Sequence, residues 1–318
     1  MQRVVVLGAG GFIGRALVAR LAREGVPVTA VARHAEAIGV GISASAMGNL
    51  SPNTDLITIL EGAESVVHLA SRAHKPIDGA SVAHWIETEA ASARHVAASA
   101  VRARLRKVVL MSSAKVHGEA THGTPFRADQ PLAPVDAYGH AKAHMERAMA
   151  DTLRDTDTML VIVRPPLVYG PGVKANFLAL LRLVCRAPVL PLASIANRRS
   201  FLYLENLVDL LCGLLARPDR VGGAFLARDG EDLSTPDLLR RIGRHLGRVP
   251  ALLPCPAWAL RLAGQVLGHG EAIARLTESL ELDDHVTRST LQWEAPYGVE
   301  DGLAATCRWY LRQERDAP

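Results

Sequence analysis

A chain of 318 residues, 49% hydrophobic and 21% charged, has the composition of a globular protein with a sizeable core, which excludes a disordered chain. It exceeds the ~150 residues typical of one domain, so a large α/β unit with a smaller lobe fits best. A net charge of +4 and a pI near 9.0 suit an anionic, phosphate-bearing substrate. The densest basic run, Arg102, Arg104, Arg106 and Lys107, closes a predicted helix, where the dipole favours cations, and this excludes a nucleic-acid-binding face.

The predicted elements begin at once, with a strand over Arg3–Leu7 that runs into Gly8-Ala9-Gly10-Gly11-Phe12-Ile13-Gly14 and a helix over Arg15–Arg23. That start leaves no room for a signal peptide. Further apolar runs predict strands at Val28–Ala32, Ser65–Leu69, Lys107–Met111 and Met159–Val163, with a helix over Trp85–Val101 between two of them. Fully apolar strands alternating with helices imply a doubly wound parallel sheet, a Rossmann fold, with ligands at the carboxyl ends of its strands. Residues 1–170 are expected to form this dinucleotide-binding domain, with returns near 200–228. The remainder, 171–200 and 229–318, is expected to be a mainly helical substrate lobe. Within these stretches we predict a helix over about Val173–Arg186, a strand at Phe201–Tyr203, a helix over Glu205–Ala216 and a strand at Ala224–Ala227. Ser234-Thr235-Pro236-Asp237 reads as a helix start, and a last helix covers Val299–Arg312.

Cys185, Cys212, Cys255 and Cys307 stand far apart with no CxxC, the pattern of reduced thiols, and a cytoplasmic location is expected. Twelve histidines without HExxH give no metal site. The apolar stretches 178–196 and 251–268 are interrupted by prolines and arginines, so neither spans a bilayer, and no membrane partner is expected.

The glycine turn is spaced GxxGxxG (Gly8, Gly11, Gly14) at a strand–helix junction. Glycine lets the backbone approach a pyrophosphate that sits on the N–H groups of the helix start. At the end of the second strand an acid would take the ribose 2′-hydroxyl of NAD and an arginine the 2′-phosphate of NADP. The chain has Arg33 there and no acid until Glu36, so NADP(H) is favoured over NAD(H). Tyr138-Gly139-His140-Ala141-Lys142 is YxxxK, which on a helix puts phenol and ammonium on one face. A tyrosine pKa near ~10 is too high for proton transfer at neutral pH, and a neighbouring ammonium and an oxidised nicotinamide favour the phenolate. Ser112-Ser113 closes a strand where ligands collect.

These motifs, with His68-Leu69-Ala70, Arg164-Pro165 and Val168-Tyr169-Gly170-Pro171, occur in the order seen in the extended short-chain dehydrogenase/reductases. Over nearly its whole length the chain resembles the NAD-dependent epimerase/dehydratase family. Ser112–Glu119, Pro171–Phe177 and Asn197–Ser200 resemble a narrower, UDP-glucose 4-epimerase-like group that includes UDP-N-acetyl-4-keto-6-deoxyhexosamine reductases. The resemblance implies that Ser113, Tyr138 and Lys142 are catalytic. It puts the dinucleotide on Gly8, Gly10, Gly11, Phe12, Ile13, Gly14, Arg33, Asn49, Leu50, Ala70, Ser71, Tyr138 and Lys142. Ser113, Lys115, Asn176 and Arg199 are placed on the substrate. Departures from the family pattern are Leu7 for threonine, Glu89 for asparagine, Leu167 for asparagine and His117 for tyrosine. The 4,6-dehydratases carry Asp-Glu after the catalytic hydroxyl. Here Ala114 and Lys115 stand in those places, so dehydration is not expected.

The leading expectation is a 4-keto-reductase acting on a UDP-linked sugar. The alternative is a UDP-sugar 4-epimerase, which needs the same groups. From a different class, a non-catalytic dinucleotide-binding regulatory subunit would have no need of Tyr138 and Lys142. The resemblance also implies a homodimer built on the Trp85–Val101 helix and the helix carrying Tyr138.

Overall fold

Valine-rich runs with no polar break bury both faces only as inner strands of a covered parallel sheet, and the structure uses them so. A computed structural model describes residues 3–34, 43–46, 48, 50–51, 54–71 and 81–315. In chain order its first half runs β1 (Val4–Leu7), α1 (Phe12–Arg23), β2 (Val28–Ala32), β3 (Ser43–Ala46), α2 (Ile57–Leu60), β4 (Ser65–His68), α3 (Val82–Arg102), β5 (Lys107–Met111), α4 (Ala137–Leu153) and β6 (Met159–Arg164). The second half runs β7 (Leu167–Tyr169), α5 (Ala175–Arg186), β8 (Val189–Leu190), β9 (Phe201–Tyr203), α6 (Leu204–Ala216), β10 (Gly223–Leu226) and α7 (Thr235–Leu246). It closes with β11 (Ala251–Leu252), α8 (Ala257–Val266), α9 (Gly270–Thr277), α10 (His285–Leu291) and α11 (Val299–Arg315).

Seven strands form one parallel sheet in the order β10-β6-β5-β4-β1-β2-β3. This is the Rossmann-like fold expected. The order reverses between β1 and β4, and that switch point opens a crevice at their carboxyl ends. Alternation along β1 sends Val4 and Val6 to one side and Val5 and Leu7 to the other. The first side packs on α1 and α6 through Leu17, Leu21, Leu207 and Leu211. The second packs on α3 and α4 through Ala93, Val96, Met145 and Met149.

Most expected strands keep their bounds within a residue. β3 was not anticipated, because Ser-Ala-Ser-Ala has little strand preference and gains its place by pairing with β2. The basic run also does more than meet a helix dipole. Lys107 is buried in β5 and its Nζ donates to the carbonyls of Leu214 and Arg217 at the end of α6.

A buried knot joins β7 and β9 to the C-terminal segment. Tyr169 Oη donates to Asp229 Oδ2 at 2.8 Å, and Asp229 Oδ1 accepts from Tyr203 N at 2.8 Å and Asn206 Nδ2 at 2.7 Å. Asn206 in turn exchanges hydrogen bonds with the backbone of Tyr297, just ahead of α11. Ser234 caps α7 as expected, accepting from Asp237 N at 3.2 Å. The cysteines are free thiols.

Candidate active site

The crevice starts at Gly8, which leaves β1 with φ of +90°, where a side chain would be strained. A Cβ there would lie 2.7 Å from Ala70 N, and one at Gly14 would lie 2.3 Å from Gly8 O. Glycine at these positions therefore lets the β1 turn, the Leu69-Ala70 segment and α1 close on one another. The first turn of α1 is capped by Gly11, which offers no side chain to its N–H groups. Gly10, Phe12, Ala16 and Arg15 line one wall of a cavity of about 320 Å³ whose other wall is Pro171, Gly172, Lys174, Leu204 and Glu205. Ile13, partly buried, packs on the core beneath this turn. A cradle that a Cβ would fill, opening on unengaged helix N–H groups, fits a dinucleotide pyrophosphate.

Ala70 and Ser71 follow β4 beside this turn, and Leu50 packs, as Ala70 does, on the core of the opposite side of the sheet. Arg33 lies exposed directly after β2. Asn49 falls outside the described residues.

Across the crevice, α4 brings Tyr138 and Lys142 to the end of β5. Lys142 Nζ is 5.8 Å from the centroid of the Tyr138 ring and donates to Met111 O at 2.9 Å. Burial pushes the Lys142 ammonium down to about 8, against the attraction of Glu89 and Glu146. Burial, with Asp136 and Glu89 adding to it, pushes the Tyr138 phenol up to about 12. In the protein alone, then, Lys142 does not draw Tyr138 toward phenolate as its spacing suggested. Desolvation disfavours its charged form, and its Nζ is directed at a carbonyl. Ser113 follows β5 and its Oγ accepts from Lys115 N at 3.3 Å. His68, buried at the end of β4, is held neutral, its pKa pushed to about 3 by burial and by Lys142.

The helix carrying these groups is pinned at its start and at its middle. Asp136 caps it, with Oδ1 accepting from Gly139 N at 2.6 Å. Lys115 Nζ joins Asp136 Oδ2 at 2.6 Å and Glu119 Oε1 at 2.8 Å. Lys115, expected on the substrate, thus spends its charge bracing the start of α4. One turn past Lys142, Glu146 accepts from Ser112 Oγ and takes both arms of Arg164, Nε at 3.0 Å and Nη2 at 2.7 Å. Arg164 Nη1 also donates to Ala128 O at 2.8 Å and to His117 Nε2 at 3.1 Å. His117 can accept because burial and Arg164 push its pKa to about 4, leaving the ring neutral.

A second cluster joins α5, α9 and the segment ahead of β9. Asn176 is in the first turn of α5, and its Oδ1 meets Arg275 Nη1 from α9 at 3.5 Å. Arg199 Nη1 donates to Glu278 O at 2.9 Å. Burial lowers the pKa of Arg199, opposed by Glu119 and Glu278 and assisted by Arg275. Arg199, Asn176 and Arg275 therefore converge, which Asn176 and Arg199 alone predicted only in part. Arg275, Glu119, Asp136 and Glu146 were missed by sequence reasoning. The one local signal among them was Asp136, an N-cap residue two positions before Tyr138.

The NAD dependent epimerase/dehydratase family model matches residues 4–226. A UDP-glucose 4-epimerase of Vibrio cholerae is 34% identical over 316 residues, covering 98% of this chain and 96% of that one. A ceramide reductase of Caulobacter vibrioides is 27% identical, covering 96% of this chain and 94% of its own. The solved structure of MoeE5 in complex with UDP-glucuronic acid and NAD matches at a TM-score of 0.78 and 22% identity, covering 98% of this chain and 100% of that chain, which is a likeness of fold.

Proposed function

We propose that this chain, which belongs to the NAD-dependent epimerase/dehydratase family, is a UDP-sugar 4-epimerase. The observation that carries this reading is the likeness to the Vibrio cholerae UDP-glucose 4-epimerase, which extends over nearly the whole of both chains. It supports the epimerase over the 4-keto-reductase that the motifs alone put first.

In this reading Gly8, Gly10, Gly11, Phe12, Ile13 and Gly14 hold the dinucleotide pyrophosphate, and Leu50, Ala70 and Ser71 line its nucleoside. The bound dinucleotide supplies the hydride acceptor, and then the hydride donor, at C4. Tyr138 takes the proton of the C4 hydroxyl as that carbon is oxidised, and returns it to the same oxygen when the other face is reduced. Ser113 polarises the C4 oxygen. Lys142 holds the nicotinamide ribose, and a partner there in place of Met111 O would turn its charge toward Tyr138. Asn176, Arg199 and Arg275 hold the substrate diphosphate, with residues 171–200 and 229–318 forming the substrate lobe. We assign Lys115 to positioning α4 through Asp136 and Glu119. Dehydration is not expected, because the buried methyl of Ala114 can move no proton.

Arg33 is free in direction to meet a 2′-phosphate, so we propose NADP(H) over NAD(H). We also propose a homodimer through α3 and α4, whose outward faces carry Glu87, Arg94, His144 and Arg147. Sedimentation at micromolar protein should show a dimer, and monomer alone excludes that contact.

The second reading, reduction of a 4-keto sugar nucleotide, uses the same groups and is favoured by a likeness to a dTDP-4-dehydrorhamnose reductase of Streptomyces griseus, 31% identical over 188 residues and covering 56% of this chain and 53% of that one. The deciding experiment supplies UDP-glucose, UDP-N-acetylglucosamine and their 4-keto-6-deoxy derivatives, with products followed by mass spectrometry and chromatography. Interconversion of C4 epimers without net use of NAD(P)H is the expected result. NAD(P)H consumed in step with a 4-keto sugar would replace the epimerase by the reductase. An inert protein that still binds dinucleotide would return it to the class of regulatory subunits.

A further inference from the structure

Among the described residues, seven of the twelve exposed large apolar side chains lie at position 189 or within 249–267. Three of them, Trp258, Leu262 and Val266, are 70%, 56% and 79% exposed and are spaced four apart on α8, a single stripe about two turns long. Leu267 extends the stripe past the helix end. The opposite face of α8 is already used. Leu260 is buried, and a Cβ on Gly264 would come 2.7 Å from Ile273 Cγ1 of α9. Val189, Val249 and Leu253 continue the exposed surface around the β8–β11 pair, where Leu253 N donates to Leu190 O at 2.9 Å.

The two segments that carry this surface bear charge of one sign. Residues 172–204 and 238–270 contain no aspartate or glutamate, and β8–β11 pairing and α5–α7 packing bring the two segments together. Arg182, Arg186, Arg244, Arg248 and Arg261 are all exposed on them. The acids that flank these segments in sequence are Glu205, Asp237 and Glu271, of which Asp237 is met by Arg240 and Glu271 by Arg275, while Glu278 further on is met by Arg261.

We propose that the exposed face of α8, with the β8–β11 corner, docks on an anionic phospholipid bilayer. An amphipathic helix with tryptophan and aliphatic residues on one side and arginines around it lies in the plane of the headgroups. Its apolar stripe enters the acyl boundary and the cations meet lipid phosphates. A second copy of the chain is a poorer occupant, because an isologous contact would set these arginines against their own equivalents. Such docking needs no spanning segment, and no helix among the described residues is long and apolar enough to cross a membrane. Because α8 packs on α9, which carries Arg275, docking would hold the Asn176–Arg199–Arg275 cluster close to the lipid surface.

The test is co-sedimentation of the full chain with vesicles of phosphatidylcholine alone or mixed equally with phosphatidylglycerol, at low and high salt. Trp258 emission gives a parallel readout, since Trp85 and Trp293 are buried and Trp309 is partly buried. The protein should pellet with the anionic vesicles at low salt, with a blue-shifted emission, and be released by salt. The double variants Leu262→Asp/Val266→Asp and Arg244→Glu/Arg248→Glu should each weaken binding about tenfold or more. Both alter exposed positions, and circular dichroism checks that they fold. Protein left in the supernatant with anionic vesicles, or variants that bind as well as the parent, would overturn the proposal. So would a vesicle-free dimer that Leu262→Asp/Val266→Asp dissociates, since a second copy would then own the surface.

Discussion

The α4 side of the sheet buries charge, and the α8 corner exposes apolar surface. Around α4, Glu146, Arg164 and Lys142 are buried, whereas around α8 Trp258, Leu262 and Val266 stand in solvent. The buried charges differ among themselves. Glu146 and Arg164 are held by a two-armed ion pair and further hydrogen bonds, while the Lys142 ammonium donates to Met111 O and is attracted by Glu89 and Glu146 without a two-armed pair among the described hydrogen bonds. Full pairing makes a buried charge a fixed anchor, and partial pairing leaves it poised to change partner. In the proposed reading, burial at α4 orders the reactive groups and exposure at α8 leaves a surface for the lipid bilayer.

The largest expected effect breaks the reactive side of that contrast. Tyr138→Phe should lower turnover by about 10²–10⁴-fold, the range for a lost acid/base group, with dinucleotide affinity near normal. More than about a tenth of parental activity would remove Tyr138 from the proton-transfer role.

The anchor is tested next. Arg164→Ala leaves Glu146 buried with its charge uncompensated and should cost about 3–5 kcal/mol in chemical denaturation. Replacing the pair together by Glu146→Leu and Arg164→Met should cost much less. Equal losses in both proteins would show that the pair acts through packing and not through charge.

Lys142 sharpens the difference between an anchor and a poised charge. Its folded pKa lies near 8, below its ordinary 10.5. Between those values the folded state has released a proton that the unfolded state still holds, so stability rises with pH through that window. Below pH 8 both states carry the proton and the folded one bears the desolvation. Lys142→Met should therefore stabilise the protein by roughly 3 kcal/mol at pH 7 and flatten its stability between pH 8 and 10. Tyr138 acts the other way above pH 10, where the unfolded phenol ionises first, its folded pKa being raised to about 12. Denaturation midpoints at pH 7 and 9.5 that move in parallel for parent and variant would deny Lys142 this role.

The smallest effect concerns Arg33, exposed and outside both regions. NADPH should bind about tenfold better than NADH, the worth of one charge-assisted hydrogen bond, and Arg33→Asp should reverse the order. Equal binding of both cofactors by parent and variant would exclude a 2′-phosphate contact.

Much of this was legible in the chain itself, and where it was not, the reason is distance along the sequence. Val4–Leu7, Gly8–Gly14 and the helical spacing of Tyr138 and Lys142 are local patterns, with period, turn chemistry and face set within a few residues. They determined a parallel sheet, a dinucleotide turn and a phenol–ammonium pair. Tertiary structure decided what those groups meet. Lys115 pairs with Asp136 from 21 positions away, Glu146 takes Arg164 from 18, and Asn176 meets Arg275 from 99. The α8 stripe shows the same division. Its amphipathic spacing is written in residues 257–266, but an apolar stripe normally turns inward. Only the burial of Leu260 in the core and the packing of Gly264 on Ile273 of α9 determine that Trp258, Leu262 and Val266 face out. Side-chain partners across such separations depend on how layers stack, which no local period encodes.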